Sequence, residues 1–213
     1  WTGNFYTRNE GYATSLFDQA YPQQVKEIED IIYQLTNDGV TGDQMGIARI
    51  WRAFIYHRLT DLYGDVPYSE AGKGYIDGVL KPKYDAQQDI YMDMLKELEE
   101  GVSQLGSTSS LGNSDLLFQG DLGKWKKFGN SLMLRLALRL SKADPSTSQA
   151  WATKAIAGGV MTSNADIAYI QHLLGPDGWN KNGNGEVFMA DGNPRLSKTF
   201  VDFLKDDPRL PIL

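Results

Sequence analysis

Apolar residues recur every three or four positions through most of the chain, which is the spacing of one helix face. Pro22 lies near the start of the first long segment of this kind, and Gly64 and Pro67 end the second. Asp121 stands where an N-cap residue of a later helix is expected. The pattern predicts a loop passing into a short helix over residues 1–20, and helices over 22–39, 47–62, 84–105, 121–144, 146–159 and 195–210.

Three segments lack this spacing. Residues 64–83 are rich in Gly, Pro and Tyr, and we expect a loop of about 20 residues, a length that usually indicates either function or disorder. Residues 160–171 show a weak alternation that is typical of a strand. Residues 175–194 are dense in Gly and Asn, and the prediction for them is a loop or a hairpin.

The order of these segments predicts a mainly α fold. Pairs of antiparallel helices with small and aromatic residues are typical of tetratricopeptide-like helical hairpins, which stack into an α-α superhelix. We assign residues 1–158 to this helical scaffold. Residues 159–213 are predicted to form a loop-rich segment and a final helix, continuous with the same domain.

Two of the most apolar predicted helices also carry arginines. A buried guanidinium is costly unless it is paired, so each of these residues needs a partner. We interpret the arginines as ties between helices, and a role in ligand binding is the alternative. The arginines are Arg49, Arg52, Arg58, Arg135 and Arg139. The candidate partners are Asp61, Asp65, Asp121 and Asp144.

Composition and charge narrow the function classes. The net charge is −6 and the longest basic run is Lys124–Lys127, whereas a nucleic-acid binder needs a basic field, so no nucleic-acid partner is expected. The absence of cysteine excludes disulfides, zinc–thiolate sites and thiol nucleophiles. No apolar run approaches the roughly 20 residues of a membrane-spanning helix. No cofactor is expected.

Two loop segments combine aromatic and amide side chains, the mixture that sugar binding requires. Aromatic faces stack on sugar rings, and polar side chains satisfy the hydroxyl groups. Binding groups are also over-represented on loops. The structural alternative is that the tryptophans anchor loops and the Asn-Gly pairs form turns. The candidate ligand-binding residues are Trp1, Asn4 and Tyr6 in one segment, and Trp179, Asn180 and Asn182 in the other.

A calcium loop is a weaker possibility in the second segment. Its first position is Asn rather than the usual Asp, and no clear helix flanks it, so we expect no metal. The residues that follow the spacing of such a loop are Asn180, Asn182, Asn184, Gly185 and Asp191.

The sequence offers no positive sign of catalysis. It contains neither a Gly-x-Ser-x-Gly elbow nor a phosphate-binding loop. A glycosidase needs two converging carboxylates. Glu97, Glu99 and Glu100 cluster, but their spacing indicates a solvated helix face. His57 lies inside an apolar helix and is interpreted as structural.

Four segments resemble the SusD/RagB family, in its SusD-like lipoprotein branch. The first is the stretch ARIWRAFIYHRLTDLYGDVPYSEA at residues 48–71. The others are PKYDAQQDIYMDMLKELEEG at 82–101, GDLGKWKKFGNSLMLRLALRLS at 120–141 and RLSKTFVDFLKDDPRL at 195–210. They occur in the family's order and extend over most of residues 20–213.

The resemblance implies a surface-facing lipoprotein of the outer membrane that binds oligosaccharides. It implies delivery to a SusC-like TonB-dependent transporter, which the helical scaffold would face. It also implies a partial chain, with membrane contact only through a lipid anchor outside it. The arginine-bearing helix is then scaffold, and its GDVPYSEA turn is interpreted as the start of a long exposed loop.

Three other functions stay open. One is a helical-repeat scaffold for protein docking, and another is uptake of a non-sugar nutrient such as peptide. The third and weakest is a polysaccharide-degrading enzyme, which an inward-facing carboxylate pair with a strongly raised pKa would favour. Exposed loop aromatics would favour sugar binding, whereas an exposed apolar helix face would favour docking.

Overall fold

A computed structural model describes residues 9–172, 182–190, 196–208 and 210. The chain divides into two compact units, Trp1–Ala168 and Tyr169–Leu213.

Unit 1 is helical, which confirms the predicted fold class. In chain order α2 packs on α3, α3 on α4, α4 on α5, and α5 on α6, as expected for stacked helical hairpins. The helices are α1 (Glu10–Ala20), α2 (Lys26–Asn37), α3 (Asp43–Tyr63), α4 (Gln87–Gln104), α5 (Leu122–Arg139) and α6 (Pro145–Ala157). The only strands in the described residues are β1 (Val66–Pro67) and β2 (Tyr84–Asp85), which pair antiparallel. No described helix is both long enough and apolar enough to cross a membrane.

The sequence predicted that the first long helix begins near Pro22, but the structure shows no helix start there. A π-helical segment, Tyr21–Val25, joins α1 to α2 without a break. Proline has no N–H to donate within a helix, and its ring clashes with the carbonyl one turn earlier. The wider turn accommodates that clash, and the N–H of Lys26 donates to the carbonyl of Tyr21, five residues before it.

Small residues let α3, α4 and α5 approach closely. A Cβ atom on Gly46 of α3 would lie 2.6 Å from the carbonyl oxygen of Gly101 on α4. A Cβ atom on Gly129 of α5 would lie 2.5 Å from a methyl carbon of Val102. Ile50 lies fully buried beside both contacts. The core therefore depends on glycine at these crossings.

A buried ion pair ties α2, α3 and α4 to the loop after α3. Arg52 donates from Nε to Glu29 of α2 at 2.6 Å and from a terminal nitrogen to the hydroxyl of Tyr68 at 2.6 Å. Tyr68 in turn donates to Asp93 of α4 at 2.6 Å. Burial alone would lower the pKa of Arg52, but Tyr68 and Glu29 raise it above its usual value. Arg52 is therefore a charged structural tie.

The partners of the arginines differ in part from the predicted aspartates. Asp61 does pair with Arg139, at 3.1 Å. Arg52 instead uses Glu29, which the sequence pattern gave no reason to expect. Arg49 pairs with Glu97 and Glu100, so the prediction of a solvated glutamate face was wrong for Glu97, which lies mostly buried against α3.

The other three aspartates take structural roles of a different kind. Asp65 accepts from the backbone N–H of Gln87, where α4 begins. Asp121 accepts from Lys124 N as the N-cap of α5, as predicted. Asp144 is the N-cap of α6 rather than an arginine partner, and it accepts from Thr147 N.

The loop over residues 64–83 starts in the core, not at the surface. Val66, Tyr68 and Ala71 are buried. Asp85 accepts hydrogen bonds from the backbone N–H groups of Tyr68 and Ser69, which fixes the turn to β2. The prediction that the GDVPYSEA turn is exposed was therefore wrong for these residues, because Tyr68 is needed inside to complete the Arg52 network.

Residues 160–168 also pack in unit 1, and the strand predicted over 160–171 is absent from this fully described segment. A 3-10 turn at Asn164–Asp166 replaces it. Asp166 accepts from the backbone N–H groups of Thr162 and Ser163 and from Lys127 at 2.7 Å. These bonds fold the segment into a turn.

Unit 2 contains two short helices among its described residues, α7 (Gly183–Ala190) and α8 (Lys198–Phe203). Helix α8 lies inside the predicted segment 195–210, and Ser197 caps it by accepting from Phe200 N. Helix α7 overturns the prediction of a loop or hairpin for its residues. Glu186, Val187, Met189 and Ala190 are compatible with a helix once the Asn-Gly pair before them supplies a cap.

We predict that Gly46→Ala lowers the free energy of unfolding by about 1–3 kcal/mol, because the new methyl group collides with the backbone of α4. Urea unfolding followed by circular dichroism measures the effect. Gly11→Ala is the control, since an exposed helical glycine with room for a Cβ atom should change stability by less than about 1 kcal/mol. Equal stability of wild type and Gly46→Ala would contradict the packing described here.

Candidate functional site

A concave groove of about 520 Å³, lined by polar and apolar surface in nearly equal parts, lies where the ends of four helices of unit 1 meet. We call it the polar groove. Its lining residues are Asp61, Gln87, Gln88, Tyr91, Met92, Arg139, Leu140, Ala143 and Asp144.

Three side chains form a hydrogen-bonded cluster in the polar groove. Tyr91, in the first turns of α4, donates its hydroxyl hydrogen to Asp61 at the end of α3. Arg139, the last residue of α5, donates from Nε to the Tyr91 hydroxyl at 3.1 Å and pairs with Asp61 at 3.1 Å. Because Arg139 remains about half exposed, its guanidinium also faces solvent in the groove. The cluster fixes these groups before any ligand arrives.

The rim of the polar groove is also held by hydrogen bonds. Gln87 donates from its side chain to the carbonyl of Thr60 at 2.7 Å. Asp144 accepts from the N–H of Thr147 at 3.1 Å, and hydrogen bonds from Thr147 and Ser146 lower the pKa of its carboxyl group. Met92, Leu140 and Ala143 supply apolar surface between these polar groups. The groove thus offers donors, acceptors and apolar contacts to a hydroxylated ligand.

His57 lies buried behind the cluster. Its Nε2 atom is 2.9 Å from a carboxylate oxygen of Asp61, and neither ring nitrogen makes a hydrogen bond within the described residues. Burial lowers the pKa of His57; Asp61 opposes that shift, and the nearby arginines Arg135, Arg139 and Arg58 add to it. The ring is therefore neutral at pH 7, as expected for a structural histidine.

Burial raises the pKa of Tyr91 to about 12, and its hydrogen bond to Asp61 adds to the shift. The phenol therefore keeps its proton at neutral pH and acts as a hydrogen-bond donor to Asp61. Its oxygen also accepts from Arg139.

Most of the ligand-binding residues predicted from the sequence lie outside the described residues. These are Trp1, Asn4, Tyr6, Trp179 and Asn180. Asn182 is described and exposed, and its side-chain oxygen accepts from Gly185 N at 3.2 Å, which caps α7. Sugar contact by all six remains a prediction.

The calcium loop considered over residues 180–191 does not fit the structure. Helix α7 runs through the middle of that segment, where a calcium-binding loop would need an irregular backbone to turn its oxygens inward. The described residues also contain no cluster of three or more histidine, aspartate and glutamate side chains that could hold a metal ion.

Two residues of the polar groove, Asp61 and Arg139, were already predicted from the sequence to tie helices together, but the sequence did not indicate a groove. The Asp61–Arg139 pair was among the predicted helix ties. Tyr91 fell on the apolar stripe of its helix, and nothing in the spacing showed that its hydroxyl group would meet two charged side chains from other helices. Only the tertiary arrangement of α3, α4 and α5 brings the three together.

A second groove, of about 290 Å³, is almost entirely apolar and lies between α2, α3 and the segment after α4. We call it the apolar groove. Ile31 is about half exposed there, and Trp51 is only partly buried. Its lining residues are Ile28, Ile31, Leu35, Gln44, Ile47, Ala48, Trp51 and Leu111.

Comparison with known proteins places this chain in a family. The family model described as starch-binding associating with outer membrane, SusD-like, matches residues 2–213. The chain belongs to the SusD-like family. This confirms the resemblance inferred from the four sequence segments, and the family description links such proteins to the outer membrane.

Solved structures of SusD-like proteins share the fold. A chitin-binding protein matches with a TM-score of 0.86 and 37% identity, over 98% of this chain and 44% of that one. A SusD-like protein from Bacteroides thetaiotaomicron matches with a TM-score of 0.78 and 28% identity, over 97% and 42%. A chitin-binding SusD homolog from Flavobacterium johnsoniae matches with a TM-score of 0.72 and 26% identity, over 87% and 39%.

The chain thus spans less than half the length of these relatives. A search of curated protein sequences finds no match.

We predict that wild type loses more stability than Tyr91→Phe as the pH rises from about 10 to about 12. The folded protein holds the Tyr91 proton more tightly than the unfolded chain, whose tyrosine pKa is near 10. Its contribution is therefore complete below pH 10 and is lost as pH approaches the folded-state pKa. Urea unfolding at a series of pH values measures the difference. Identical pH profiles would show that the Tyr91 hydroxyl is not held as described.

Proposed function

We propose that this chain binds oligosaccharides without catalysing their cleavage, as part of a surface-facing lipoprotein of the outer membrane. The observation that carries the proposal is the match to a chitin-binding protein at 37% identity over 98% of the chain. The proposed role is delivery of the sugar to a SusC-like TonB-dependent transporter. The lipid anchor would lie outside this chain.

The polar groove supports sugar binding by its size and chemistry. Its volume falls within the range of about 300–1,000 Å³ that is usual for small-molecule sites. Arg139 and Gln88 offer donors to hydroxyl or amide oxygens, and Met92 with Leu140 offers apolar contact to the carbon face of a ring. Exposed Tyr75, in the loop over residues 64–83, and exposed Tyr84, in β2, agree with a surface that stacks on rings.

The carboxylates of the polar groove support binding rather than hydrolysis. A glycosidase needs one protonated carboxyl group as acid and a second carboxylate as base or nucleophile. Asp61 already accepts from Tyr91 and pairs with Arg139. Asp144 is engaged as a helix cap, with a lowered pKa that makes it a poor acid. These engagements support the proposal of binding without hydrolysis.

The apolar groove favours a second, compatible function in protein docking. A partly exposed Trp51 beside Ile31 is the kind of anchor surface on which partner proteins dock. We propose the SusC-like transporter as the partner of the helical scaffold. Uptake of a non-sugar nutrient such as peptide is the alternative, and the binding panel below includes that class.

We predict that calorimetry with chitin- and starch-derived oligosaccharides and short peptides detects binding of a sugar. Arg139→Ala should weaken that binding at least about tenfold, because a hydrogen bond from a charged donor is lost. Lys154→Ala is the matched control, since it removes one half-exposed positive charge of unit 1 away from the groove. Circular dichroism checks that each variant is folded.

The variant Trp179→Ala separates the two candidate sites. Loss of sugar binding in Arg139→Ala alone would place the ligand in the polar groove. Loss in Trp179→Ala alone would keep the proposed function and assign it to the Gly/Asn-rich segment. Absence of sugar binding by folded wild-type protein, or binding of peptides only, would contradict the proposal.

A further inference from the structure

Helices α3 and α5 run side by side and expose a surface between two cross-helix contacts. Phe54 and Phe128 meet with ring centroids 5.9 Å apart, and further along Asp61 pairs with Arg139 at 3.1 Å. The residues between and beside these contacts include two arginines and two leucines. We call them the arginine–leucine surface: Arg58 and Leu62 on α3, and Arg135 and Leu138 on α5.

Both arginines of this surface are exposed and unpaired. No salt bridge or hydrogen bond joins Arg58 or Arg135 to a carboxylate within the part of the chain that the structure describes. This differs from Arg49, Arg52 and Arg139, each of which has an acidic partner. Along their helices both lie between the Phe54–Phe128 contact and the Asp61–Arg139 pair, which places them on neighbouring turns of α3 and α5.

The leucines of the surface are exposed as well. Leu62 is 66% exposed and Leu138 is 56% exposed. Leu62 follows Arg58 by four positions and Leu138 follows Arg135 by three, so each leucine shares a helix face with its arginine. A shallow depression beside Arg135 is lined by Ser131 and Leu134. Two large apolar side chains exposed to water contribute no burial free energy to the stability of the fold.

The charge of the surface identifies the chemistry of its partner. The whole chain has a net charge of −6, so two exposed arginines without an acidic partner stand apart from the rest. Of the carboxylates beside them, Asp61 pairs with Arg139 and Glu27 pairs with Lys26. Guanidinium groups bind phosphates through paired N–H donors. Leucines beside them can enter the apolar boundary below a layer of lipid headgroups, as in helices that lie on membranes. The surface of a bilayer matches both the exposed arginines and the exposed leucines.

We propose that the arginine–leucine surface contacts the phosphate headgroups of a lipid bilayer. This contact is additional to any lipid anchor, and it does not depend on the proposed sugar binding. It would hold unit 1 against the membrane with the leucines entering the headgroup layer. The contact is electrostatic in part, so it weakens as salt rises.

The test is co-sedimentation of the purified chain with vesicles of phosphatidylcholine and phosphatidylglycerol in equal parts, at low salt. The double variant Arg58→Gln/Arg135→Gln should partition about thirty-fold more weakly than wild type. Each arginine near an anionic membrane surface strengthens binding about five- to six-fold, and the double variant loses both contributions. Leu62→Ser/Leu138→Ser should also weaken partitioning. Unchanged thermal unfolding confirms that the variants are folded.

The matched control is Lys81→Gln/Lys124→Gln, which removes two positive charges from other parts of unit 1 and should partition like wild type. Equal loss in the control and the arginine variant would overturn the proposal, since general charge would then explain the binding. Failure of wild type to bind the anionic vesicles would overturn it as well. So would retention of wild type by immobilised poly-glutamate but not by vesicles, which would indicate an acidic polypeptide partner instead.

Discussion

The buried contact between Arg52 and Glu29 is the interaction on which the rest of unit 1 depends. It joins α2 to α3, and through Tyr68 it reaches both the loop after α3 and Asp93 on α4. A guanidinium in this position is costly by itself, and only the full set of partners makes it tolerable. The charged residue in an apolar helix is thus explained by the loop that it holds inside.

The polar groove follows from that arrangement. The Arg52 network holds Tyr68 against Asp93, and Asp65 binds the backbone N–H of Gln87 at the start of α4. These contacts fix the position of the first turns of α4, which carry Tyr91 into the groove. Asp61 and Arg139 then meet Tyr91 from α3 and α5. The Arg52 network and the polar groove are therefore connected by a continuous series of contacts through α4.

The sequence predicted the helices well, because their apolar spacing and caps are local features, as Asp121 shows. The sequence-based predictions were wrong where contacts between residues far apart in the chain determine the structure. The partner of Arg52 lies on another helix, and Tyr68 is buried only because that arginine needs it. Helix α7 was not predicted because an Asn-Gly pair is typical of a turn, whereas here Asn182 caps the helix. The polar groove requires three helices at once, so no spacing along the chain reveals it.

The most direct test of this account is a double-mutant cycle of Arg52→Met and Glu29→Met, measured as free energies of unfolding in urea. Arg52→Met alone should cost about 3–5 kcal/mol, because it leaves the Glu29 charge buried without a partner. The double variant should cost clearly less than the sum of the two single variants, since both charges are then gone. Additive effects would contradict the account, because they would show that the two side chains do not depend on each other.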